Sequence, residues 1–134
     1  MSNSNDNAYT MTGWDEHVVA GGSEGPRYAH AHATFTYTGV IEGSSVCDYL
    51  LYYDERTGHG GQRAPGFERV EGRVAGREGG FVIRHDVAYT DEGISDRFTV
   101  VPGSGTGELA GLSGSGTASS ASEVVPYTFD YRLD

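Results

Sequence analysis

From Tyr9 to Leu133 the chain alternates along its length with period two, and no ten-residue window carries a convincing helical period. That pattern restricts the fold to sheets whose strands bury one face and show the other to water. Runs near 9–19, 27–40, 45–54, 67–75, 80–89, 94–101, 106–112 and 126–133 read as strands. In the last of them Tyr127, Phe129, Tyr131 and Leu133 point one way, and Thr128, Asp130 and Arg132 the other. Tyr, Thr, Val and Phe dominate these runs, as suits a half-buried pleated surface. The turn signals GGSEGP, DERTGHGG, GREGG, TDEG and PGSG separate them. Eight short strands with short connections predict an all-β antiparallel meander. Closing it into a single eight-stranded barrel would remove the exposed edges. Such an interior is filled by side chains or holds one small ligand. The expected organisation is a flexible polar tail over 1–8 and one barrel domain over 9–134.

Composition narrows the partners. Net charge is -10 and the chain has no lysine; all 9 basic residues are arginine. Nucleic acid and anionic membranes would repel such a chain, so neither is expected as a partner. One cysteine, Cys47, excludes an intramolecular disulfide. MSNSNDNAYT lacks the basic and apolar regions of a signal peptide. No apolar run approaches the roughly 20 residues that cross a bilayer. The expected location is the cytoplasm.

Gly105-Thr106-Gly107-Glu108-Leu109-Ala110 matches the relaxed dinucleotide pattern G-x-G-x-x-G/A after an apolar run, FTVV. A phosphate-binding loop of that kind needs a helix directly after the glycines. Here Gly111, Gly114 and Gly116 follow, each costly inside a helix. A Walker loop needs a lysine, which the chain lacks. The segment therefore reads as a turn and a glycine-punctuated strand, and no cofactor is expected.

Four segments in this order, VIEGSSVCDYLLYY (40–53), GFERVEGRVAGREGGFVIRHD (66–86), VVPGSGTGELAGLSGSG (100–116) and YTFDYRL (127–133), carry a resemblance. Together they resemble bacterial domain-of-unknown-function family 3224, a family assigned an allene oxide cyclase-like, calycin-like β-barrel. The resemblance spans roughly 10–133, and SGTGELAGL is its most specific part. Glu42-Gly43-Ser44-Ser45 departs from the family's SG-x-G-type turn, and DERTGHGG has no counterpart in the family pattern. The resemblance implies the barrel. Through relatives that cyclise allene oxides and polyketides, it also implies a small hydrophobic ligand inside. It supplies no catalytic residues.

The alternation itself nominates those. His85 shares a face with Phe81, Ile83, Val87 and Tyr89, so it points inward. It reads as a general acid or base, or as a core histidine satisfied by a neighbour. Glu68 alternates with Val70, Gly72 and Val74 on the preceding strand, within reach of His85 if register allows. A carboxylate–histidine pair in an apolar cavity is an acid–base unit, or a structural pair that pins the register. Tyr49 and Tyr53 share a face with Cys47 and Leu51, aiming two phenols inward as donors to a carbonyl or enolate, or simply as filling. Cys47 is a possible nucleophile, though a lone buried thiol is generally inert. Glu42, in IEGSS, is a mouth residue or a turn residue. Phe35, Phe81, Ile83 and Tyr131 would complete the apolar lining. His30 and His32 sit on one strand face, a geometry metals use. That face continues as Thr34, Thr36 and Thr38, the outer side, and no third ligand follows at a familiar spacing. No metal site is expected, and His59 reads as an exposed loop residue.

Three functions fit these readings. One is a cofactor-independent isomerase or cyclase that holds a polyketide- or lipid-like substrate in a reactive conformation, with Tyr49, Glu68 or His85 assisting. Another is a carrier for a similar ligand. A third is a filled barrel with a structural or stress role. Pairing through outer faces would give a homodimer.

Overall fold

A computed structural model describes residues 7–21, 26–53, 62–90 and 93–133. The loop DERTGHGG with His59 lies outside the described residues, as do residues 1–6. Among the described residues nine strands form one sheet: β1 (Ala8–Gly21), β2 (Arg27–Thr38), β3 (Ile41–Tyr53), β4 (Gln62–Val74), β5 (Arg77–Thr90), β6 (Gly93–Val100), β7 (Ser113–Ser120), β8 (Val124–Pro126) and β9 (Asp130–Arg132). The order is β8-β1-β2-β3-β4-β5-β6-β7-β9, and every pairing is antiparallel. The sheet curls into a half-barrel of nine strands, not the closed eight-stranded barrel that the alternation predicts. No helix among the described residues is long and apolar enough to cross a membrane.

Two expected strands account for the difference. Residues 106–112 do not extend. They form a 3-10 turn, Gly107–Leu109, whose Leu109 and Leu112 are both buried. The segment docks on β5, where the Thr106 amide donates to the Gly80 carbonyl at 2.8 Å and the Gly80 amide to Thr106 Oγ1 at 3.0 Å. Apolar residues three apart suit a turn, not a strand. The strand comes next, as β7, in SGSGTASS. The expected strand 126–133 is two short ones. β8 pairs with β1 and β9 pairs with β7, so the chain crosses from one sheet edge to the other between them. Tyr127 makes a single bridge to Ala118 in passing. Its hydroxyl donates to the Thr38 carbonyl at 3.0 Å and accepts from the Ile41 amide at 3.1 Å.

The inner face carries the core, with Tyr9, Phe35, Tyr37, Ile41, Leu51, Val70, Val74, Phe81, Ile83, Phe98 and Val100 all buried. Small residues make room for large ones. Gly116 lies under the Phe98 ring, and a Cβ there would stand 2.4 Å from Phe98 Cζ and 2.0 Å from the Thr128 carbonyl. Gly116→Ala is expected to cost about 1–3 kcal/mol, as overpacking does. A shift of the urea midpoint at unchanged slope checks it.

Candidate functional site

The inward phase of five successive strands places polar side chains in one line. His85 on β5 faces Gly66 of β4 and Phe98 of β6. Its diagonal neighbours are Glu68 and Asp96. His85 Nε2 is 2.5 Å from Glu68 Oε1, and Nδ1 is 2.5 Å from Asp96 Oδ2. The other oxygen of Glu68 accepts from the Tyr37 hydroxyl at 2.7 Å and from the Ser45 hydroxyl. The line thus runs Tyr37 (β2), Ser45 (β3), Glu68 (β4), His85 (β5), Asp96 (β6). All five residues are buried.

Two carboxylates at opposite nitrogens require both N–H groups, so His85 is an imidazolium. Burial opposes that charge. The hydrogen bonds to Asp96 and Glu68, with the carboxylate charges, outweigh it and hold the pKa at about 9. An imidazolium with both nitrogens donating has no lone pair for a substrate proton. Both ring nitrogens of His85, expected as a general acid or base, are thus engaged by carboxylates. Burial and the Glu68 charge push the Tyr37 phenol well up, and the same two causes push up the Cys47 thiol. Cys47 is inert as a nucleophile in this state. Asp96 Oδ1 is buried with no hydrogen-bond partner among the described residues.

Cys47, Glu68 and His85 bring one ligand atom each within 4.8 Å of one another. The donor set does not suit a cation as it stands. Both imidazole nitrogens are engaged and the thiol resists ionisation.

Beside this line lies a cavity of ≈ 500 Å³, lined by Tyr9, Met11 and Trp14 of β1, Phe35, Tyr49, Val87, Ile94 and Val125, together with Gly93 and Ser120–Glu123. Tyr49 joins the two features. Its ring lines the cavity, stacks on Trp14 at 6.1 Å and tilts against His85 at 6.1 Å. Gly66 opposite Tyr49 permits this, because a Cβ there would stand 2.6 Å from Tyr49 Cδ1.

The expected site residues divide accordingly. Glu68, His85 and Cys47 come together in the interior, and Phe81 and Ile83 are buried on the same face. Tyr49 and Phe35 line the cavity. Tyr53 is elsewhere: its hydroxyl donates to Glu16 Oε2 at 2.6 Å, and Arg27 lies 4.8 Å over its ring. Glu42 is neither in a turn nor in the cavity. The turn is Gly39–Val40, so Glu42 falls inside β3, exposed and opposite Arg73. Tyr131 is half-buried, stacked on Phe129 at 5.3 Å. Tyr37, Ser45 and Asp96 were not expected, yet each lies in the buried phase of its own strand.

A family model described as a protein of unknown function, DUF3224, matches residues 6–131. The chain belongs to this family. A DUF3224 protein of unknown function from Shewanella oneidensis MR-1, solved by crystallography at 1.84 Å, is 26% identical, with TM-score 0.73 over 96% of this chain and 98% of that one. No curated protein matches.

Proposed function

We propose that this DUF3224 protein binds a small, mainly apolar compound in the cavity bounded by Trp14, Phe35, Tyr49 and Ile94. The cavity carries the reading. Its volume of ≈ 500 Å³ falls in the range of small-molecule sites, and apolar and aromatic side chains form most of its wall. Ser120, Ser122 and Glu123 add a polar margin that would orient a ligand's polar end. Trp14 is the one tryptophan in the chain and lines the cavity, so its fluorescence reports occupancy directly. Titration with polyketide-like and lipid fragments is expected to give a saturable change. Met11, at the exposed margin, tolerates a charge without unfolding the chain. Met11→Glu is expected to weaken binding about tenfold, or about 1.4 kcal/mol. No saturable change across the panel removes the reading.

One observation favours catalysis as a second reading: Tyr49 forms the cavity wall and packs against His85. A cofactor-independent isomerase or cyclase needs a shaped cavity and one hydroxyl donor. The allene oxide cyclase-like relationship expected from the sequence belongs to this reading. Tyr49 would then meet the substrate, while Glu68 and His85 stand behind it. Tyr49→Phe is expected to keep binding and abolish turnover of a bound substrate. Equal turnover in the variant removes Tyr49 from the chemistry, and a bound compound that the wild-type protein leaves unchanged assigns the site to binding alone.

A further inference from the structure

The outer face of β1–β3 gathers three imidazoles and a carboxylate that no interior chemistry uses. His30 and His32 project outward from β2, with Ala29, Ala31 and Ala33 buried on the opposite face. Register places His17 of β1 opposite His30, and Asp48 of β3 opposite His32. Asp48 Oδ1 stands between the two β2 histidines, 2.8 Å from His30 Nε2 and 2.9 Å from His32 Nδ1. The His17 ring lies edge-on to that of His30, with centroids 5.2 Å apart.

We propose that His17, His30, His32 and Asp48 form a surface site for a borderline divalent transition ion of the zinc type. Three imidazoles and one carboxylate oxygen are a donor set that a tetrahedral ion takes, and these side chains draw closer together than they stand to supply it. Asp48 already holds the two β2 imidazoles toward one point. On ion entry its carboxylate moves aside to become a ligand and ceases to be their shared hydrogen-bond partner. His17, His32 and Asp48 are exposed and His30 is half-buried on the outer face, so the adjustment leaves the core untouched. The β2 pair is spaced two residues apart along one strand, and the other ligands come from the strands on either side. An ion would therefore clamp β1, β2 and β3 together across their outer face. Calcium and magnesium prefer oxygen donors and would not compete.

The test uses tag-free full-length protein and zinc alone, followed by calorimetry and thermal melting. The expected result is one ion per chain and a rise in melting temperature, with no response to calcium or magnesium. The His30→Ala/His32→Ala variant, both positions on the outer face, is expected to weaken zinc binding more than about tenfold, and Asp48→Asn to weaken it less. Cobalt substitution gives a separate readout, a tetrahedral visible spectrum without sulfur-to-cobalt charge transfer. Zinc affinity unchanged in the double variant overturns the site. So does a charge-transfer band, which would place the ion on Cys47, and so does the absence of a stoichiometric response.

Discussion

His85→Ala is expected to destabilise the fold by about 3–5 kcal/mol, the cost of leaving buried charge uncompensated. The variant would hold Glu68 and Asp96 in the interior with no cation between them, while Tyr37 and Ser45 still donate to Glu68. Against a total stability of about 5–15 kcal/mol, that is enough to leave part of the chain unfolded at 37 °C. Urea unfolding measures it. Replacing the group together, Glu68→Met with His85→Leu and Asp96→Leu, removes every charge at once. Apolar replacement of a buried ion cluster is often neutral or stabilising. The triple variant is therefore expected to be more stable than His85→Ala. A triple variant less stable than the single one would mean that the hydrogen bonds, and not the charges, dominate the line.

The second large effect is on pH. The pKa of His85 stands at about 9 in the folded chain, against about 6.5 for an unperturbed histidine. Between those values the folded state holds a proton that the unfolded state has released. The contribution of His85 to stability is thus complete below about pH 6.5 and lost as pH rises through 9. Within that window the slope is about 1.4 kcal/mol per pH unit. Urea midpoints taken from pH 6 to pH 10 are expected to fall steadily, and a His85→Gln variant should show a flatter profile. A wild-type midpoint that holds constant across the window would mean that His85 folds neutral.

Alternation made much of this readable. It put Glu68 and His85 on the inner face and on adjacent strands, and the structure joins them at 2.5 Å. The same alternation contained Asp96, in phase with Ile94, Phe98 and Val100, and Ser45, in phase with Ile41 and Cys47. Polar residues at core phase are the signal, and reading them as turn or surface chemistry hides it. β7 was harder. SGSGTASS has no large apolar residue, and its place in the sheet comes from close approach to Phe98 and from β6. The surface histidines show the limit of linear spacing. Asp48 and His17 complete the cluster from neighbouring strands, and only register brings them there.

The crossing between β8 and β9 bears on how the chain is made. The outer edge of β1 finds its partner only when residues 124–126 arrive, and β7 waits for residues 130–132. During vectorial synthesis the hairpins from β1 to β6 can assemble in order, since each pairs with the next. Two unpaired edges persist until the last stretch emerges. Long-range docking of that kind is the slow step in β-folding. Until it occurs both edges stay open, and an open edge is a template on which another strand can pair.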